Sequence, residues 1–407
     1  MLNELRIFFK KYSCQSLIIL GLAAIPFISI QGYDTRIPKM SLALGMALFI
    51  GLAAIFQGKL KPFKNKPLLI LIGFLLVSIY FSPKPDITLL GKQVSNFWVW
   101  KPMFFISVFF MMLVTVSSLE LNKEDAKLIL NVMLWVGFIM AAYCIVQSLN
   151  IEQFFVLNTE VKATLVTPQK NIGGTLGHPT IVSPFIAMII PIALYLKKRI
   201  KALIMFIAVC LTCSQVAIGA MMVSLVFYLS TKGRKSLISG CIIFTLALTI
   251  LGGGYFKSPQ IKAFVDDSGR FGTWKKIVTD IKSPINKEGN RYSFTGFGSG
   301  SFGYIFPLKH DSIMHQAHND YLEIAYNTGI IGLGLFLWAI FYIFKINFSF
   351  KRIWRGEADK YRMALLSSFS CILICAGGTF VFQLGCHLFY TLVIVGLLTG
   401  GEKCLKE

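Results

Sequence analysis

Hydrophobic runs alternate with short polar connections along almost the whole chain. Crossing a bilayer takes about 20 apolar residues, and shorter runs serve where a helix stops inside the protein. On that ruler, spans are predicted near 14–31, 40–57, 67–82, 102–118, 128–148, 180–196, 202–215, 217–230, 236–256, 320–344, 363–382 and 386–400. The expected fold class is an all-α polytopic membrane protein with about 12 transmembrane helices. One long polar interruption divides it into spans 1–9 over residues 1–256, a large outward loop over 257–318, and spans 10–12 with a tail over 319–407. The apolar run behind Met1–Lys11 continues past Pro26 with no small-residue cleavage site, so it is expected to stay as the first span.

Composition strengthens that picture. The chain of 407 residues is 55% hydrophobic and 14% charged, with a mean hydropathy of +0.67, which excludes an ordinary soluble globule. A net charge of +21 would suggest nucleic acid in a soluble protein. Here the basic residues sit mainly in short loops, where they orient the chain and meet anionic lipid head groups, so no nucleic-acid partner is expected. The nine cysteines fall in or beside apolar runs, and Cys210-x-x-Cys213 lacks the second pair and polar setting of a zinc site.

Lys and Arg in alternate loops set the orientation. With both termini in the cytoplasm, the inner side carries 24 basic residues, among them Lys197, Lys198, Arg199, Lys232, Arg234 and Lys235. The outer side, long loop aside, carries seven, including Arg36 and Lys170. This puts the long loop on the outer side of the membrane. Both flanks of the Lys201–Lys232 segment belong inside, so two half-length helices are expected to meet at an outward turn near Thr212-Cys213-Ser214-Gln215. Broken backbone at membrane depth is tolerated where it lines a cavity, which makes that turn a cavity wall.

Two outward segments are long enough to hold chemistry. One, about 149–179, ends in Gly173-Gly174-Thr175-Leu176-Gly177-His178-Pro179-Thr180. The other holds Ser268-Gly269-Arg270, Trp274, a helix expected near 271–282, and the glycines Gly296 to Gly303 before Met314-His315-Gln316-Ala317-His318-Asn319-Asp320-Tyr321-Leu322. Its aromatics argue for order and for packing onto the membrane face. The Gly-rich stretch lacks a strand and a G-K-[ST], so it is read as a turn that lets backbone approach a ligand or the membrane, not as a nucleotide loop.

His318 leads the residues able to do chemistry. A histidine can take a proton from an attacking hydroxyl at neutral pH, with Asp320 or Glu323 orienting its ring. The plainer alternative is an interfacial histidine beside Asn319 and Asp320, both good N-cap types. His310, His315 and His318 also raise a metal site, but the H-E-x-x-H form is missing, and neither metal nor cofactor is expected. Arg270 offers a planar fork for a phosphate, with Arg291 and several lysines adding charge nearby; an ordinary solvated loop arginine is the competing account. No acidic residue sits mid-span, so a coupled transporter has little to work with.

These motifs, in this order, resemble the bacterial O-antigen ligase and polymerase superfamily: Gly-His-Pro-Thr before a span, Ser268-Gly269-Arg270 and Trp274 in the outward loop, His318-Asn319-Asp320-Tyr321-Leu322, then Gly329-Ile330-Ile331-Gly332-Leu333. The match is best over about 170–345. The resemblance implies a GT-C-like fold and a metal-independent inverting glycosyltransferase. Its donor would be a glycan on undecaprenyl diphosphate, and its acceptor lipid A-core or another glycan. It also implies that His318 activates the acceptor hydroxyl while Arg270 binds the leaving diphosphate. His178, Ser214, Gln215, Trp274, Asn319, Asp320, Arg291 and Arg36 would surround the substrates. Family members commonly carry Ser-Arg where this chain has Ser214-Gln215, so Arg291, Arg36 or a lysine must substitute, or the substrates differ. The alternatives are a glycan polymerase, a protein O-oligosaccharyltransferase and, outside enzymes, a lipid-linked oligosaccharide transporter.

Overall fold

A computed structural model describes residues 13–28, 36–60, 65–78, 92–94, 97–99, 102–119, 121, 123–149, 172–236, 238, 241–242, 270–282, 292–311 and 314–400. Three helices come first: α1 (Cys14–Ala24), α2 (Arg36–Phe56) and α3 (Lys66–Val77). A short antiparallel hairpin, β1 (Lys92–Val94) with β2 (Phe97–Val99), precedes α4 (Pro102–Ser118) and α5 (Lys123–Ser148). Then follow α6 (Pro179–Ala187), α7 (Ile190–Tyr195), α8 (Arg199–Leu211) and α9 (Gln215–Leu229). After the long loop come α10 (Arg270–Lys282), α11 (Tyr292–Thr295), α12 (Phe302–His310), α13 (Asp320–Asn347), α14 (Phe350–Arg355), α15 (Lys360–Ala376) and α16 (Gly385–Gly400).

The molecule is a helical membrane protein. Among the described residues, Arg36–Phe56, Lys123–Ser148, Gln215–Lys232 and Asp320–Asn347 are long and apolar enough to cross a bilayer, and shorter apolar helices accompany them. Most predicted runs coincide with helices, since an uninterrupted apolar stretch can bury its backbone only by bonding internally. The predicted span 236–256 lies almost wholly outside the described residues. The predicted span 180–196 is two helices, α6 and α7, parted at Met188–Ile189 ahead of Pro191, whose missing N–H starts α7 afresh.

Two cores result. The larger joins α1, α2, α4–α9 and α13–α16 through residues such as Ile50, Met112, Phe185, Ile343, Leu366 and Phe389, all buried. Here α9 packs along α15, and α4 along both α2 and α16. The smaller core belongs to the loop helices: Ile277, Phe297, Phe302, Phe306, Ala317 and Tyr326, with Trp274, Ile281, Ile305 and Leu322 at its edge. The aromatics of the outward segment therefore divide. Phe297, Phe302 and Phe306 are buried, each contributing about 1.5–3 kcal/mol of burial, while Phe271 and Phe294 remain exposed.

A break in α13 explains how the small core attaches. Gly329 is non-helical (φ 67°, ψ −172°), and the carbonyls of Tyr326 and Asn327 accept instead from Phe297 N–H at 3.0 Å and Gly298 N–H at 2.8 Å. A Cβ on Gly296 would collide with the backbone of Asn327 and Gly329, and one on Gly329 with that of Phe294. The Gly-rich stretch thus makes its close backbone approach to a neighbouring helix, and its Ser299, Gly300 and Gly303 also line a cavity. Asn327 completes the join: its Oδ1 accepts from Ser301 Oγ at 3.1 Å and from Phe302 N–H at 2.9 Å, at the start of α12.

Candidate active site

His318 lies on the turn just before α13 and is one of few non-glycine residues with a left-handed backbone (φ 51°). Such a conformation costs an L-residue energy and persists only where its surroundings dictate it. Its neighbours are correspondingly fixed. Ala317 N–H donates to Glu323 Oε2 at 2.9 Å, and Ala317 C=O accepts from Trp274 Nε1 at 2.8 Å. Asn319 caps α13 by accepting from Leu322 N–H at 3.1 Å, and its Nδ2 donates to Gly377 C=O at 2.9 Å. The imidazole itself stands edge-on to Phe380, with 5.0 Å between ring centroids.

Arg270 opens α10 and reaches the same turn between α15 and α16. Its Nη1 donates to Gly378 C=O at 3.0 Å, one residue from the carbonyl that holds Asn319. Gly378 in turn has room only for a hydrogen, since a Cβ there would meet Val216, which neighbours Ser214 and Gln215 at the start of α9. The Gly377–Gly378 turn therefore gathers Arg270, Asn319 and the Thr212–Gln215 turn, where Cys213 is also left-handed (φ 50°). In this setting Ser214 is buried, while Gln215 is exposed.

Two further groups join electrostatically. Crowding first, then the charges of Arg270, His178 and Arg36, together lower the His318 pKa to about 4. His178 keeps an exposed edge but is likewise held below the ordinary histidine range, by its crowded surroundings first and then by Arg270 and Arg36. Its Nδ1 accepts from Thr180 N–H at 3.2 Å, which fixes the ring at the start of α6. Both imidazoles are therefore neutral at pH 7 and lie in the positive field of two arginines. A neutral imidazole can accept a proton, and the guanidinium field favours an anion beside it.

Arg36 also belongs to a cavity of about 530 Å³. Its polar end is lined by Arg36, His315, Gln316, Asp320, Glu323 and Gln383, and its apolar length by residues such as Leu71, Phe109, Leu113, Ile343, Phe369 and Val395. Along α13 the lining runs from Asp320 to Ile343 across the Gly329 break, at most about 35 Å at 1.5 Å per residue. That is about the thickness of a bilayer's hydrocarbon core.

Several expectations need correction. Neither acidic residue orients the His318 ring: Glu323 holds the Ala317 N–H, and Asp320 accepts from Phe382 N–H at 3.0 Å and Gln383 Nε2 at 3.4 Å. The sequence placed these carboxylates near the histidine, and only the fold supplied their backbone partners. Trp274 is likewise bonded to backbone. The three histidines of the supposed metal cluster face different ways, His310 to Asp280 at 2.8 Å and His315 to Gly303 C=O at 2.9 Å. Among the described residues no three metal-binding side chains converge. Arg291, Ser268 and Gly269 lie outside the described residues. Sequence reasoning missed Phe380, Gln383 and the Gly377–Gly378 turn; the only local signal was the Gly-Gly pair after an apolar run. Searches against protein-family models and against curated proteins give no match to the chain, so what the site does rests on its own residues.

Proposed function

We propose that the protein is a membrane glycosyltransferase that moves a glycan from undecaprenyl diphosphate onto a sugar hydroxyl, in the manner of an O-antigen ligase acting on lipid A-core. The single observation that carries this is the pairing of a neutral histidine and two arginines with a long apolar cavity through Arg36. A polyprenyl chain fits an apolar channel of bilayer depth, and a diphosphate fits the positive field at its mouth.

In this scheme the acceptor hydroxyl gives its proton to His318 as its oxygen attacks the anomeric carbon. The bond from that carbon to the diphosphate oxygen breaks on the opposite face, so the anomeric configuration inverts. Undecaprenyl diphosphate leaves with the electron pair, its added charge met by Arg270 and Arg36. Fixed cations are most effective where charge develops during the reaction. His318 then returns its proton to water.

The same proposal includes a GT-C-like arrangement of about 12 spans, with the site on the periplasmic side of a bacterial inner membrane. The second reading is a polymerase that extends the lipid-linked glycan, since substrates other than the usual ligase pair would accommodate the exposed, uncharged Gln215. Purified protein incubated with lipid-linked glycan and either lipid A-core or a second lipid-linked glycan separates the two. Product on neither acceptor overturns both. Activity lost with chelator and restored by a divalent ion overturns the metal-independent scheme.

A further inference from the structure

Trp274 and Arg270 are four residues apart on α10, so their side chains leave the same face of that helix. One reaches the Ala317 carbonyl at 2.8 Å, and the other the Gly378 carbonyl at 3.0 Å. The opposite end of Ala317, its N–H, is taken by Glu323 Oε2 at 2.9 Å. Glu323 is nine-tenths buried, and a carboxylate accepting a backbone N–H there makes a strong, directional bond. Ala317 is therefore gripped from two sides by two different helices, and the next residue is His318 in its left-handed conformation.

We propose that Trp274 and Glu323 are positioning residues, which clamp the Ala317 backbone and so fix the His318 imidazole relative to the Arg270 guanidinium. The Trp274 bond ties α10 directly to the histidine turn, while Asn319 and Arg270 bond to neighbouring carbonyls of the Gly377–Gly378 turn. Releasing either grip lets the imidazole swing toward water and away from Arg270. The need at Glu323 is for an acceptor, so glutamine serves where alanine does not. The functional weight of the clamp rests on the glycosyltransfer reading, but its geometry does not.

The test uses the full chain in micelles with isotope-labelled histidine. There are five histidines, and His318 is identified by the signal lost in His318→Ala. Trp274→Phe and Glu323→Ala each raise the His318 midpoint from about 4 toward the ordinary histidine value of about 6.5. Glu323→Gln leaves it low. In glycan-transfer assays Trp274→Phe lowers kcat on the order of 10- to 100-fold, the penalty of a misplaced catalytic group, with little change in KM.

An unmoved midpoint in both Trp274→Phe and Glu323→Ala overturns the clamp. So does a glutamine variant that behaves like the alanine one, which would make the charge of Glu323 the essential property. Should the wild-type protein transfer no glycan, the glycosyltransfer reading falls, and should His318→Ala and Arg270→Ala keep full transfer, its site assignment falls, while shifted midpoints still support the clamp. Inactive His318→Ala and Arg270→Ala beside a Trp274→Phe with wild-type midpoint and rate remove the clamp alone.

Discussion

The two cores are held by different physics. The large bundle is packed mainly through apolar residues such as Ile50, Met112, Phe389 and Val393, with buried bonds such as Tyr390 to Leu22 added to them, and hydrophobic packing is forgiving of direction. Among the described residues the small core has six buried members, so its placement depends on directional bonds: Phe297 and Gly298 to the α13 carbonyls, Trp274 to Ala317, and Asp280 at 2.8 Å to both Lys309 and His310. His318 and Arg270 come from the small core, His178 and Arg36 from the bundle. A site assembled across that seam is as well placed as the bonds that set the seam.

The largest effect is expected at the seam itself. His318→Ala and Arg270→Ala should each lower glycan transfer by about 10²–10⁴-fold while the protein still accumulates in the membrane. Normal surface-glycan ladders from both variants would remove the assignment. Gly329→Val should be nearly as severe, because its backbone is left-handed and its Cβ would strike Phe294. Hydrogen exchange should then show Phe297–His310 deprotected and α15 and α16 unchanged. Equal loss in both regions would mean that the two cores are not separable.

A pH series gives a smaller, signed effect. The folded His318 pKa is depressed to about 4, below the ordinary value near 6.5. The imidazole therefore stays a competent base as pH falls through 6, and the acid limb of kcat/KM should lie nearer 4 than 6.5. The same depression means that stability linked to this group is complete above about pH 6.5 and declines as pH falls toward 4, since the unfolded chain binds the proton first. An acid limb at the ordinary histidine position would argue against a crowded, arginine-flanked base.

Asp280→Ala should weaken the small core by about 1–3 kcal/mol, since it leaves Lys309 and His310 without their shared, buried carboxylate. Tyr390→Phe should matter least. It deletes one bond to Leu22 C=O at 2.6 Å inside the bundle, for about 1 kcal/mol and no change in transfer. Thermal unfolding of the purified variants checks both.

Much of this was legible from residue order, and for a physical reason. Apolar runs such as 102–118 and 386–400 became helices with almost the predicted bounds, since lipid forces backbone to bond within its own segment. The helix expected near 271–282 also formed. What could not be read locally was anything decided by a distant partner. Glu323 and Asp320 were placed beside His318, yet they serve Ala317 and Phe382, and the latter lies beyond the whole of α15. The break at Gly329 was equally hidden, because a lone glycine in a long apolar run is usually tolerated and only the approach of Gly296 shows its purpose.

That break divides the longest helix mechanically. Asp320–Thr328 begins at the histidine turn, whereas Ile330–Asn347 carries exposed apolar side chains such as Trp338 and Phe341, and the backbone of Phe294 packs into the break between them. The directions of the two halves of one apolar run are therefore set by a contact from the loop core, not by helical continuity.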